Sequence, residues 1–310
     1  MVPRTGLEPA RVAPLAPQAS VSANSTTSAY SFLDEYSGYA TLLSMINQTV
    51  PIVMGILNIT PDSFFDGGSY LDADHALNRA KEMVAQGAGM IDVGAFSSRP
   101  GAALLTPDEE IHRLSPILEN LVKACDVPIS LDTMHSAVAK FGLSCGVKMI
   151  NDISAMTFDS KMGSIIASFD AAVCLMHMRG LPKTMQLDSD PLLSVEDIIR
   201  YLKARVLDAQ KMGIKTIWVD PGIGFGKSVD QNLKIFKHLQ AFRALGCPVL
   251  VGASRKSFIG KVINDDYQDR LAGSISAVLS AYKQGVHCVR VHDVLETVQA
   301  LKVCAAIENA

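Results

Sequence analysis

Apolar runs of strand length that alternate with helical segments, and that stop repeatedly on a residue able to bind or ionise, predict an α/β fold of the (β/α)8 TIM barrel class. Eight such runs lie at 52–57, 90–93, 128–131, 147–150, 172–176, 216–219, 248–252 and 286–291. Most are near-continuous Val, Ile and Met without strict alternation, as expected of parallel strands covered on both faces. Chemistry follows each one: Asn58, the stretch from Gly94 to Arg99, Asp132, Asn151, His177, Asp220, Ser254 to Lys256, and Arg290 to His292. In a barrel of this kind the C-terminal ends of the strands converge on one mouth. An open, doubly wound sheet is the alternative architecture.

The first run feeds the polar loop NITPDSFFDGG (58–68), after which a helix is predicted over 73–86 with Gly87 as its stop. The second leads into SSRPG (97–101), then Thr106, Pro107 and Asp108, a helix start for 108–124. The third ends on Asp132, the fourth on Asn151 and Asp152, and the fifth inside LMHM (175–178). Ser194 with Glu196 opens a helix over 195–212, closed by Gly213. DPGIGFGK (220–227) follows the sixth run and precedes a helix over 231–244, closed by Gly246. SRKS (254–257) follows the seventh, ahead of a helix over 269–284 closed by Gly285. The eighth ends RVHD (290–293) before a last helix over 296–307. Roughly 260 residues follow position 50, the usual size of one such barrel.

Composition agrees with one well-packed domain over 46–310. The chain is 48% hydrophobic with a formal net charge of -3, so there is no basic excess to point to nucleic acid. No run approaches the ~18 apolar residues of a membrane-spanning helix. Cys125, Cys145, Cys174, Cys247, Cys288 and Cys304 are scattered without close pairs, and read as free thiols in a reducing compartment. Residues 1–45 differ, being rich in Ser, Ala, Pro and Thr without hydrophobic period, and are expected to be a disordered or spurious extension ahead of an authentic start at Met45. Two arginines and a Ser/Thr run there suggest a transit peptide.

DPGIGFGK is not a phosphate-cradling P-loop, because the position five before Gly226 is Pro221. Nor is it a dinucleotide fingerprint, since its spacing is G-x-G-x-G late in the chain. What remains is a strand ending on Asp220, with glycines that let the backbone pass close under a ligand and Phe225 as a flat apolar wall. Asp132 and Asp220 suit the paired N–H donors of an amidine-like heterocycle edge, although an Asp after a strand often only caps the next helix. Asn151 and Asp152 either add amide and carboxylate contacts or cap. SRKS places Lys256 and Ser257 where a helix begins, a position that favours anions. Alternation puts Arg290 and His292 on one side, and with Arg99 they form a polyanion clamp. His177 reads as a packed core histidine.

Together these residues resemble the dihydropteroate synthase family of pterin-binding enzymes. The likeness runs from Ile52 to about Val303 through MGILNITPDSF, IDVG with SSRPGA, SLDT, INDIS, CLMHMRGLPKTMQ, DPGIGFGK, SRKS and RVHDV, in the family's order. It implies a barrel enzyme, a transferase, that condenses 6-hydroxymethyl-7,8-dihydropterin diphosphate with 4-aminobenzoate to give 7,8-dihydropteroate and diphosphate in folate synthesis. It also implies a cytoplasmic homodimer, a sulfonamide target and a Mg2+ requirement. Carried over, Asp132, Asn151, Asp220, Phe225 and Lys256 hold the pterin, with Asp132, Asp220 and Lys256 as the catalytic set. Asn58, Ser98, Arg99, Arg290 and His292 meet the diphosphate, and Asn58 also ligates Mg2+. Ser98, Pro100, Phe225, Lys256 and Ser257 receive the aminobenzoate. The resemblance further implies a dissociative substitution in which diphosphate leaves first.

The departures fall in two loops. Ala95, Phe96 and Ser98 stand where many members have Gly, Glu and Thr, and Phe65 stands where Ser is frequent. Ser98 keeps the hydroxyl, whereas Phe96 removes a charge beside the mouth. A corrinoid-type pterin methyltransferase, a catalytically silent paralogue and a bifunctional form are the competing readings, the last disfavoured because ~45 residues are too few for another domain.

Overall fold

In the computed structural model, which describes residues 49–59, 70–96, 104–180, 192–264 and 269–310, eight parallel strands form the predicted barrel. They are β1 (Ile52–Asn58), β2 (Met90–Gly94), β3 (Ile129–Asp132), β4 (Met149–Asp152), β5 (Ala172–Met176), β6 (Ile217–Asp220), β7 (Leu250–Val251) and β8 (Cys288–Val291). Their order is β6-β5-β4-β3-β2-β1-β8-β7. A parallel bridge between Val219 and Val249 joins the two ends, with the Val219 N–H donating to the Pro248 carbonyl at 3.0 Å. An open sheet is therefore excluded. The expected extension, residues 1–45, lies outside the described residues.

The helices are α1 (Tyr70–Ala85), α2 (Pro107–Leu114), α3 (Leu118–Ala124), α4 (Ser136–Ser144), α5 (Met162–Ser168), α6 (Val195–Lys211), α7 (Val229–Lys237), α8 (Ser257–Ile263), α9 (Leu271–Lys283) and α10 (Val294–Glu308). Capping boxes at Thr106 and Ser194 start α2 and α6 where expected. One helix over 108–124 does not form. Ser115 keeps helical backbone, but Pro116 lacks the N–H that would continue the ladder, so α2 ends and α3 begins anew. The segment 231–244 likewise divides into α7 and a 3-10 helix, Leu239–Leu245, which ends at Gly246 in left-handed backbone. Among the described residues no helix is long and apolar enough to cross a membrane. All six cysteines are free, three of them buried.

Period two explains why the strands read as continuous apolar runs. Val53, Ile91, Val93, Leu131, Ile150, Val173, Val219, Val251 and Val289 pack outward under the helices. Ile52, Met54, Met90, Met149, Ala172, Cys174, Trp218, Leu250 and Cys288 pack together inside the barrel as its floor. Continuing the inward alternation upward from that floor gives Asp92, Asp132, Asn151, Asp220 and Arg290. Several strands run past the predicted ends, because these polar residues still pair in the sheet: Gly94 opposite Asp132, Asp132 opposite Asn151, Met176 opposite Asp220.

β7 is short for a local reason. The Val249 N–H donates to His287 Nδ1 at 3.0 Å instead of extending a strand ladder. Burial and the Arg243 charge lower the His287 pKa, which keeps that nitrogen free to accept.

Candidate active site

Above the apolar floor sits a layer of paired charges. Arg290 donates from Nε to Asp92 Oδ2 at 2.5 Å and from Nη2 to Asp132 Oδ2 at 3.1 Å. Asn151 Nδ2 donates to the same Asp92 oxygen at 3.0 Å. Asp92 Oδ1, Ser130 Oγ and Asp132 Oδ1 are buried with no hydrogen-bond partner among the described residues. A native interior rarely leaves acceptors in that condition without a functional reason. Burial works against the Arg290 charge, but Asp92 and Asp132 outweigh it and raise its pKa. Burial raises the Asp132 pKa to about 8 against the pull of Arg290. Capping does not account for Asp132, since His135 is the N-cap of α4.

On the opposite arc, Asp220 Oδ1 accepts from the Gly222 N–H at 2.7 Å. Gly222 has φ +71, and a Cβ there would lie 1.9 Å from the His177 carbonyl oxygen, so only glycine passes. Burial raises the Asp220 pKa, with Lys256 the largest opposing influence. Lys256 donates to the Ile223 carbonyl and lies 4.3 Å from the centre of the Phe225 ring, a cation–π pair. Burial lowers its pKa to about 8 against Asp220. Ser257 is exposed as the first residue of α8.

His292 Nδ1 lies 3.0 Å from Ser254 Oγ. Arg255, the other cation of SRKS, is turned away into an ion pair with Asp293. Asn58 ends β1 half-buried, opposite Gly94. Ser98, Arg99 and Pro100 lie outside the described residues, as does Phe65. Asp152 is a turn former: its carboxylate accepts from Ser154 N, Ser154 Oγ and Met156 N. His177 is packed edge-on against Tyr201, and burial lowers its pKa to about 3.

Phe96, Met134, Ile153, Met176 and Phe225 form an apolar collar. Phe96 is 4% exposed within it, so the residue that replaces a charge packs instead of facing water. The mouth is thus layered, with floor, charged layer and collar in succession.

Three buried groups escaped the sequence reading. Asp92 carried a signal, a carboxylate at the centre of a buried strand on the same face as Met90 and Gly94. Lys227 closes DPGIGFGK and donates to the carbonyls of Gly222 at 2.7 Å, Phe225 at 3.1 Å and His177 at 3.1 Å. Burial lowers its pKa to about 7 against Asp220. Glu110 on α2 accepts from Thr133 Oγ1 at 2.9 Å, and burial raises its pKa to about 7 despite that bond.

A family model described as pterin binding enzyme matches residues 54–292. The chain belongs to the pterin-binding enzyme family. Among its relatives in that family is the dihydropteroate synthase of Synechocystis sp., 40% identical over 284 residues, covering 89% of this chain and 98% of the relative. That of Escherichia coli is 40% identical over 84% of this chain and 93% of its own. A Clostridium difficile dihydropteroate synthase structure determined in the presence of pteroic acid is 40% identical with a TM-score of 0.78, over 84% of this chain and 98% of that one. A Xanthomonas albilineans dihydropteroate synthase with 4-aminobenzoic acid is 37% identical, also with a TM-score of 0.78, over 84% and 94%.

Proposed function

We propose that this pterin-binding enzyme is a dihydropteroate synthase, joining 6-hydroxymethyl-7,8-dihydropterin diphosphate to 4-aminobenzoate. The observation that carries this reading is the buried charged layer, in which Asp132 Oδ1 is unpartnered among the described residues and Asp132, Asn151, Asp220 and Lys256 meet around one mouth. A pterin edge offers N–H donors to the carboxylates and acceptors to Lys256. The chain's likeness to dihydropteroate synthases supports the amine cosubstrate over a methyl transfer.

In the reaction the hydroxymethyl C–O bond breaks and its electron pair leaves with diphosphate. The aromatic amine then forms the C–N bond to the pterin-stabilised cation and loses a proton. Asp132 and Asp220 oppose that positive charge in a water-poor layer, where fixed charges act strongly. Arg290 and His292 take the departing anion, a role the resemblance also gives to Ser98 and Arg99. Ser257 takes the aminobenzoate carboxylate, with Phe225 and the Lys256 stem against its ring, a place the resemblance also gives to Pro100. The collar keeps water from the cation.

Asn58 would hold Mg2+ through its neutral amide oxygen, a donor type that suits a hard cation. When bound it neutralises charge on the leaving diphosphate. A cytoplasmic homodimer is the working form we assign with this function.

The deciding experiment measures diphosphate and dihydropteroate production with Mg2+ and pterin diphosphate, with and without 4-aminobenzoate. Coupled formation of both products is expected. Binding of pterin diphosphate without either product would instead identify a silent paralogue.

A further inference from the structure

We propose that Asp92 is a positioning residue that fixes the hydrogen-bonding polarity of the pterin pocket, a proposal that rests on the synthase reading above. Asp92 is fully buried in the middle of β2, and its role follows from what it can accept. A carboxylate only accepts, so the Asn151 amide must present Nδ2 to it, as the 3.0 Å contact shows. That choice leaves Asn151 Oδ1, an acceptor, as the end available to a ligand. With an apolar neighbour in place of Asp92 the amide would be free to turn over, and the pocket would then present a donor at the same point.

The same Asp92 oxygen takes Arg290 Nε at 2.5 Å. A guanidinium is planar, so anchoring Nε sets the plane in which Nη2 meets Asp132 Oδ2. Asp132 Oδ2 is thereby occupied and Oδ1 is the oxygen left for a pterin N–H. One carboxylate thus orders two side chains of the pocket. Asn151 Oδ1 and Asp132 Oδ1 are thereby left as acceptors, as is Asp92 Oδ1, which has no hydrogen-bond partner among the described residues, and a ring edge rich in N–H groups is selected over its tautomer.

Asp92→Asn tests this with little change of volume. Titration with pterin diphosphate is expected to show affinity lowered by roughly 10²-fold, the scale of a misplaced contact group. The KM for 4-aminobenzoate should stay within about twofold, because Ser257 and Phe225 do not touch Asp92; a merely structural defect would raise both. Adding Asn151→Asp to Asp92→Asn reverses the donor and the acceptor, and is expected to recover at least about tenfold of the loss by restoring the pairing.

Asn151→Asp alone serves if Asp92→Asn does not fold. It sets two carboxylates together, so pterin affinity relative to wild type should be weakest at the alkaline end of a pH series and recover toward acid, where one shared proton restores a donor. Asp132, Asp220, Arg290 and Lys256 share this layer, Glu110 and Asp152 act on Asp132 through their charges, and wild-type titrations at each pH account for them. Wild-type binding with undiminished binding by Asp92→Asn, or a pH-independent Asn151→Asp defect, overturns the role of Asp92. Wild-type protein that binds no pterin diphosphate overturns the synthase reading itself, and the positioning role with it.

Discussion

Asp132→Asn isolates the contribution of one buried charge to turnover. Asp132 is 4% exposed, and its Oδ1 has no hydrogen-bond partner among the described residues. A unit positive charge developing about 5 Å from it, at an effective dielectric of about 20, interacts by ~3 kcal/mol. That corresponds to roughly 10²-fold in rate, the lower end of the ~10²–10³ typical of lost electrostatic stabilisation. Stability should move the other way. The folded pKa of about 8 exceeds the ordinary 3.8, so between those values the folded state keeps a proton that the unfolded chain has lost. Wild-type stability therefore falls as pH rises through this window, and the variant, lacking the group, escapes that fall. The assay pairs dihydropteroate formation with thermal denaturation at about pH 5 and about pH 8. Turnover within about twofold of wild type, or a variant less stable than wild type at the higher pH, would refute the electrostatic account.

Three further expectations follow from the site. If Asp132 acts ionised and Lys256 protonated, both with pKa values of about 8, kcat/KM should be bell-shaped with its apex near pH 8. Lys256→Arg, which stays protonated, should remove the alkaline limb in a pH–rate series, whatever it costs in absolute rate. Lys227→Ala removes the ammonium donor shared by three carbonyls, of which that of Gly222 alone keeps another among the described residues, the Phe225 N–H, and should lower stability by about 2–4 kcal/mol in urea titration. Because burial lowers the Lys227 pKa to about 7, below the ordinary 10.5, wild-type stability gains as pH rises between these values and the variant lacks that gain. Gly222→Ala combines positive φ with a Cβ 1.9 Å from a carbonyl oxygen, and calorimetry should show a loss of about 3–5 kcal/mol or no folded protein.

The fold was legible because both faces of the barrel strands are apolar, which makes each strand an unbroken hydrophobic run between helices. The strand ends were less so. Reading a strand as over at its last apolar residue put Asp132, Asn151 and Asp220 in loops, when inward alternation carries them inside the sheet. Asp92 was hidden by the same habit, since it sits between Ile91 and Val93 with no loop chemistry beside it. The break at Pro116 was visible in the sequence, but the hydrophobic period continues across it. Lys227 was unreadable locally: its three carbonyl partners come from two different strand exits, which only the closed ring brings together. Arg290 was foreseen as an anion contact, and its engagement by Asp92 and Asp132 depends on pairings that span 198 and 158 residues.

The junction of β6 and β7 gives the barrel a seam. There the backbone contributes one isolated bridge, whereas β1 and β2 pair over five residues. Asp220 stands on one side of the seam and Lys256 follows the other, so a ligand gripped by both is a clasp across the least laced part of the ring. Occupancy then adds to resistance against unfolding as well as to catalysis. Amide hydrogens flanking Val219 and Val249 would be the first to record it, exchanging slowly when the mouth is filled and freely when it is empty.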